Sequence, residues 1–488
     1  MKFLPQRGRV RSLGQRTTRV ACLALIVATL AGAAATSAIA ATAASDASTA
    51  TISPIPAGSG TGVAPVGRRA ADLAPAGYTE TEFLVSGVAH VYSGPATGPA
   101  SATPQTVPYA TRVIVRAPPN PKEFSGRVMV EPMNTSSGGD TDAGWGFIGS
   151  RLVENGDAWV GVTVRYSSDA LLKKGDPVRY ASINIPTSSV AWDVLAQVGQ
   201  SLRTGGASGP LGALKPKHVY MTGYSQSAID VATYAGAINP LARQANGKPV
   251  FDGFLVMARA ASLTPLDPGT AALPAFEFKA VGKGSSPIVE VESEGEAAGF
   301  STPAYSNPSA ASVRRADSDA PKDRFRLYEI TGGSHVLKGS GCDHPDGTTF
   351  PMRYFERAAL EHLYAWSEDG TAPPKAPRIK AASIGPVTTF VKDDHGNSVG
   401  GVRSPYIDVP LSTYGANDTP GPLCALAGYE TPFPSSQLQS EYKTADAYMK
   451  QFTKSLDHAI AAGTFLKADR DDILTAAQAI AQQRFAGS

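Results

Sequence analysis

The sequence predicts an α/β protein: a mostly parallel central sheet flanked by helices, opened by antiparallel strands and followed by a C-terminal hairpin and helical extension. Two observations predict it. Short apolar runs alternate with longer segments whose apolar residues recur at helical spacing, and strands separated by helices imply right-handed crossovers and a parallel sheet. The stretch "HVYMTGYSQSAIDVATYAGAIN", residues 218–239, then sets one serine at the junction of an apolar strand and an alanine-rich helix, hemmed in by small residues.

The elements follow in order. Residues 1–40 combine a basic start without acids, the apolar run "VACLALIVATLAGAAAT" and a small-x-small ending at Ala38 and Ala40, the pattern of a secretory signal peptide. The apolar run is shorter than the ~20 residues a spanning helix needs, so a soluble, extracellular mature protein without stable membrane association is expected. Residues 41–75 are rich in Ala, Ser, Thr, Gly and Pro and read as a disordered linker. A core over 76–372 begins with the strands "EFLVSGVAHVY", "TRVIVRAP" and "RVMVEPMN", passes through a helix at "GWGFIGSRLVENG" and reaches the strand "AWVGVTVR". The helix "SSVAWDVLAQVGQSLRTGG" keeps one apolar face and opens on serines able to cap it. After the helix that follows Ser225 come the strands "VFDGFLVMA", "PIVEVESE" and "RFRLYEI", then the helix "PMRYFERAALEHLYAWSED", ended by Gly370, Pro373 and Pro374. Residues 373–488 form an accessory extension packed on the core, with a hairpin around His395-Gly396-Asn397 and a helix carrying Tyr448, Phe452, Leu456 and Ile460 at spacing four.

The serine explains its small neighbours. A hydroxyl becomes a nucleophile when a base takes its proton, and it must project clear of the backbone to reach an acyl carbon. A sharp strand-to-helix turn meets that need, and Gly223 and Ser227 are small because larger side chains would collide across it. The motif is G-x-S-x-S, where the usual form ends in Gly. Of seven histidines, His335 in "ITGGSHV" stands on a glycine-rich loop past the last core strand, the place for the general base, with His344 as its rival. The orienting acid belongs on the loop after "PIVEVES". Glu296 is preferred there and Glu294 is the alternative, while Glu290 and Glu292 share one face of the strand itself. An oxyanion needs fixed donors: the backbone N–H of Gln226, and a second from the loop after "RVMVEP", at Asn134 or Thr135.

No H-E-x-x-H, C-x-x-C or phosphate-cradling glycine loop is present, so no metal or cofactor is expected. Net charge is +2, from 44 basic and 42 acidic residues without a basic stripe, which points away from nucleic acid and towards a small molecule. Two cysteines, Cys342 and Cys424, remain after the leader, and an exported protein is expected to pair them.

With "GYSQS", "ITGGSH" and the strand order in place, the chain resembles the α/β-hydrolase superfamily. More narrowly it is similar to the secreted actinobacterial "alpha/beta hydrolase domain" group, through "VEPMNTSSGG" at 130–139 and "GGVRSPYIDVPLSTYG" at 400–415. The resemblance spans about residues 78–485 and implies an α/β-hydrolase fold and hydrolysis through an acyl-enzyme on Ser225, with proton transfer by His335. A carboxylic ester is the expected substrate class. A peptidase, lactonase or acyltransferase would use the same residues, and a non-catalytic binding protein on this fold is the reading from another class. Tannases and feruloyl esterases are a poorer match, since no cysteine neighbours Ser225.

Overall fold

A computed structural model describes residues 48–60, 62–65, 73–206, 209–271, 274–302, 305–421 and 423–486, without the side chains of residues 301–307. The expected signal peptide lies outside the described residues. Ten strands form the main sheet, here β1 to β10 in chain order: Thr51–Pro54, Thr79–Ser93, Ser101–Ala117, Arg127–Pro132, Ala158–Val162, His218–Tyr224, Gly253–Met257, Ile288–Ser293, Ser318–Ala320 and Asp323–Ile330. They lie in the order β1-β2-β3-β5-β4-β6-β7-β8-β10-β9. The first three and β5 pair antiparallel. From β5 through β4, β6, β7 and β8 to β10 every pairing is parallel, and β9 closes the edge antiparallel.

Over Thr51–Pro54, β1 corrects the reading of residues 41–75 as a disordered linker. Thr51 to Pro54 pair with Ser86 to Phe83 of β2, the amides of Ser59 and Gly60 bond the Asp176 carboxylate at 2.9 and 3.1 Å, and Arg112 Nη1 donates to the Val63 carbonyl at 2.6 Å. Backbone pairing at an open sheet edge orders this segment although it buries little apolar surface. Composition alone weighs only the latter.

Strand alternation splits the core between the two sheet faces. Val128, Val130, Val219, Met221, Phe254 and Val256 pack in one cluster with residues of the helices α2 (Tyr166–Gly175), α3 (Ala191–Thr204) and α4 (Gln226–Thr233), where Leu195 and Val198 are fully buried. Their neighbours Met129, Tyr220, Leu255 and Met257 turn to the other face, against α1 (Trp145–Asn155) and α6 (Met352–Glu368). Tyr448, Phe452 and Leu456 of the helix Ala445–Ala461 are buried in that same second cluster, so the extension shares a hydrophobic core with the central sheet.

The start of α1 shows what "VEPMN" does. Gly144 at its N-cap supplies no side-chain cap. Buried Glu131, projecting from β4, instead accepts the N–H groups of Gly144 and Trp145 at 2.6 and 3.0 Å and the Trp159 indole N–H at 2.9 Å. The helix begins with its orphan donors satisfied from inside the sheet. Burial pushes the Glu131 carboxyl up to about 8 against the pull of these bonds.

Candidate active site

Ser225 sits at the apex between β6 and α4 with φ 58° and ψ −125°, a left-handed conformation that costs a side-chain-bearing residue about 1–3 kcal/mol. Its surroundings hold it there. A Cβ on Gly223 would lie 2.5 Å from the carbonyl carbon of Ser227, so only glycine allows strand and helix to close this tightly. Ser227, where the usual motif has Gly, is fully buried, and its hydroxyl bonds both the N–H and the carbonyl of Tyr224 at 3.0 Å. The departure from the pattern thus serves as a brace across the turn. Ser225 itself is partly exposed.

Glu296 lies just past the end of β8. Ser293 caps the short helix α5 (Glu294–Ala298) and Glu296 reaches back to the Ser293 N–H at 2.6 Å, a reciprocal capping box. The other Glu296 oxygen meets His335 Nδ1 at 2.6 Å, with Glu296 fully buried and His335 8% exposed. Burial alone would raise the Glu296 carboxyl; the bonds from His335 and Ser293 outweigh it and hold the group below the ordinary carboxylate range. A carboxylate can only accept, so Nδ1 carries the proton and Nε2 keeps its lone pair. Among the described residues no hydrogen bond joins Ser225 to the ring. The two turns are tied one residue away, where the Tyr224 hydroxyl donates to the His335 carbonyl at 2.5 Å and its ring lies 5.3 Å from the imidazole.

The remaining site residues divide. Glu294, the alternative acid, turns away from His335 and accepts instead from Gly332, Lys392 and Ser398. The rival His344 has a partner of its own, Asp418 at 2.7 Å, and stacks on Tyr429. Asn134 commits its N–H to the Thr141 carbonyl and its side-chain amide to the Tyr224 carbonyl, at 3.0 and 2.9 Å. It pins the serine turn, and its N–H is not free for an oxyanion. Thr135 presents its N–H and hydroxyl to Gln226 Oε1 at 2.9 and 3.0 Å. The Gln226 N–H belongs to the first turn of α4, whose donors lack intrahelical acceptors. Glu290 pairs with Arg259 at 2.8 Å, whereas burial first, and then the charge of Glu290, push the Glu292 carboxyl well up.

Two residues escaped the sequence reading, and a third was read for a different part. Tyr224 lies inside the quoted motif, but nothing local shows that its hydroxyl spans to residue 335. Asn134 was weighed as a donor, while its work is to hold the turn. Glu356, fully buried on α6 with neither oxygen partnered, is pushed well up by burial and then by Glu296. Its place in the apolar run "RYFERAAL" was the available signal.

Cys342 and Cys424 are bonded. Beside them Val336 donates to the Leu426 carbonyl and accepts from Gly428, both at 2.9 Å, so the chain following His335 is zipped to the extension. Among the described residues no group of three or more His, Cys, Asp or Glu side chains could hold a metal ion, and no helix is long and apolar enough to cross a membrane.

A parallel sheet with a serine on a left-handed strand-to-helix turn and a histidine–carboxylate pair at the same carboxyl edge defines an α/β hydrolase. The chain belongs to the alpha/beta hydrolase domain family, whose model matches residues 51–475. No curated protein matches it. Among solved structures it is similar to a provisionally named dienelactone hydrolase from Klebsiella pneumoniae subsp. pneumoniae MGH 78578, at 12% identity and TM-score 0.29 over 58% of this chain and 98% of that one. XC6422 from Xanthomonas campestris, a lidless α/β serine hydrolase, is 13% identical with TM-score 0.26 over 51% and 85%. The rice cell wall degrading esterase LipA from Xanthomonas oryzae is 12% identical with TM-score 0.19 over 37% and 42%. Likenesses this distant carry no weight for the chemistry, which rests on this chain's own residues.

Proposed function

We propose that the protein is an exported serine hydrolase that cleaves a carboxylic ester of a small molecule through an acyl-enzyme on Ser225. The observation that carries this reading is the 2.6 Å bond from buried Glu296 to His335 Nδ1, made on the turn that Tyr224 ties to the serine. Held in that tautomer, His335 Nε2 takes the Ser225 proton as the oxygen attacks the acyl carbon, and Glu296 stabilises the imidazolium that forms. The imidazolium then protonates the leaving alkoxide, and the alcohol departs. Water repeats the sequence on the acyl-enzyme and frees the acid. The oxyanion is held by the Gln226 N–H and by the Thr135 N–H, the latter once the Gln226 side chain swings off it. The Cys342–Cys424 bond fits an oxidising compartment, in keeping with export directed by residues 1–40.

Hydrolysis of short-chain nitrophenyl esters, compared between the wild type and Ser225→Ala, tests the reading, together with fluorophosphonate labelling mapped to its peptide. Turnover and labelling are both lost in the variant if the assignment holds. A folded Ser225→Ala with unchanged turnover removes it. Wild-type protein inert to esters, amides, lactones and the fluorophosphonate would favour a binding protein on this fold.

A further inference from the structure

Glu294 is the carboxylate the proposed chemistry leaves unused, and it is among the best-partnered in the molecule. Only 3% exposed, it accepts three hydrogen bonds. One oxygen takes the Gly332 N–H at 2.9 Å; the other takes Lys392 Nζ at 2.9 Å and the Ser398 hydroxyl at 2.5 Å. Gly332 lies three residues before His335. Lys392 and Ser398 face each other across the hairpin of the C-terminal extension. One carboxylate on α5 therefore joins the loop that delivers the histidine to a hairpin some sixty residues further along the chain.

The geometry points to Glu294 as a positioning residue that holds the His335 loop on the C-terminal extension and thereby fixes the imidazole on Glu296. This inference rests on the serine-hydrolase reading for what the imidazole does, but not for where it is held. Within the loop, Gly333 donates to the Ile330 carbonyl at 3.2 Å and the Ser334 hydroxyl donates to the Val336 carbonyl at 2.9 Å. Gly332 has φ 81°, and a Cβ there would meet Ile407 of the extension at 2.6 Å, while a Cβ on Gly333 would meet Met352 at 2.4 Å. Two glycines give the chain this path and contribute no side chains to hold it. Further bonds hold it from outside, beyond those of Tyr224 and Val336 already described. Gly295 donates to the Gly333 carbonyl at 3.3 Å, the Thr331 hydroxyl donates to the Gly400 carbonyl at 2.7 Å, Val402 donates to the Glu329 carbonyl at 2.7 Å, and Glu294 takes the Gly332 N–H. Gly401 is required for that approach, because a Cβ there would lie 2.3 Å from Thr331 Oγ1. The stretch "GGVRSP" thus lies along the continuation of β10, and the hairpin just before it presents one cation and one hydroxyl to Glu294.

The acid and its neighbour divide the work across one short turn. Glu296 aims at the ring, and Glu294 aims at the backbone that carries the ring. An amide cannot replace Glu294, because the Gly332 N–H and Lys392 Nζ can only donate, they sit on different oxygens, and a glutamine has one oxygen.

The experiment compares Glu294→Gln, Lys392→Met and Ser398→Ala with wild type and with Lys392→Arg. It follows kcat and KM on a nitrophenyl ester across pH, the rate of fluorophosphonate labelling, the thermal midpoint, and the downfield imidazole proton of His335 by NMR. Loss of the tether lets the ring wander, and since a misplacement of about 1 Å can cost about a hundredfold, Glu294→Gln is expected to lose ~10–100-fold in kcat with KM little changed. Lys392→Met loses less, Lys392→Arg restores the rate, and the His335 proton signal broadens in step with the loss. Lys392 is half exposed and its replacement leaves the core intact, so the series stays readable if Glu294→Gln fails to fold. Wild-type kcat, pH profile and imidazole signal in both Glu294→Gln and Lys392→Met would overturn the inference. A wild type that hydrolyses no ester, yet whose imidazole signal is altered by these variants, would sink the ester-hydrolase reading and leave the positioning role standing.

Discussion

Replacing Glu296 with glutamine changes one atom's chemistry and almost none of its volume. The carboxylate has two oxygens and two donors to satisfy: the backbone N–H of Ser293 on one, His335 Nδ1 on the other, both at 2.6 Å and with no exposure to water. A backbone N–H can only donate, so the glutamine oxygen must stay on Ser293. Its NH2 group then faces Nδ1. The imidazole answers by taking the other tautomer, with Nδ1 accepting and Nε2 carrying the proton, and Nε2 can no longer receive one from Ser225. A tautomer fixed the wrong way round lowers kcat by about 10³–10⁴-fold, or ~4–5.5 kcal/mol of transition-state stabilisation, with KM nearly unchanged. Stability should fall less, by about 1.5–3 kcal/mol for the charged hydrogen bonds, partly offset by removing a buried charge. The pH dependence has a definite sign. Because the Glu296 carboxyl lies below its ordinary range when folded, its bonds stabilise the protein above the unfolded value of roughly 4.5 and are lost as pH falls through the folded value. Steady-state kinetics on a nitrophenyl ester and urea unfolding from pH 7 down to well below 4.5 measure both, and the stability gap between variant and wild type should narrow once the pH falls under the unfolded value. A folded Glu296→Gln enzyme within about tenfold of wild-type kcat would refute this reasoning, because the tautomer switch alone should remove more.

Ser225→Gly relieves a left-handed residue, so it should abolish turnover while raising the unfolding free energy by about 1–2 kcal/mol; a destabilised glycine variant would mean the turn is not strained. The Cys342–Cys424 bond joins residues 82 apart, and its loss should cost up to about 4.5 kcal/mol by chain entropy and loosen the segment after His335. Unchanged thermal midpoint and turnover after reduction, or in Cys342→Ser, would deny it that role. Glu131→Ala strands three buried N–H donors at the start of α1 and should cost about 3–5 kcal/mol in denaturant unfolding. Folding raises this carboxyl, so its contribution favours the native state at acid pH and is lost as pH climbs from roughly 4.5 towards about 8; the alanine variant should lack that slope.

What could be read in the sequence is what local sterics dictate. The small residues around Ser225 state the turn, since Gly223 has no room for a Cβ and the alanines Ala228, Ala232 and Ala235 are fully buried. The spacing of Tyr448, Phe452 and Leu456 states a buried helix face that the fold uses. Contacts fixed by distant parts of the chain were not legible. Ser398 lies 104 residues from Glu294 and Tyr224 lies 111 from His335, and no periodicity reports such meetings. β1 escaped for a related reason: a strand held by its backbone at a sheet edge leaves no trace in side-chain composition.

The choice between Glu294 and Glu296 shows how a local rule decides a distant contact. In "SEGE" the serine is the N-cap, Glu294 the first helical residue and Glu296 the third. A third-position glutamate returns over the N-cap to bond its N–H, which sets the carboxylate above the end of the strand. In a parallel sheet that is the edge where the next loops arrive, and β10, hydrogen-bonded to β8 from Phe325 against Ile288 to Ile330 against Ser293, delivers its loop there. A first-position glutamate makes no return bond to the N-cap; Glu294 takes the Gly332 N–H of that loop with one oxygen and Lys392 and Ser398 of the extension with the other. The capping box is therefore a stronger warrant for Glu296 over Glu294 than a place on the loop after the strand, which both share. It makes the proposed orienting acid and the start of α5 a single feature, so that Ser293→Ala, which removes the reciprocal half of the cap, should loosen Glu296 from His335.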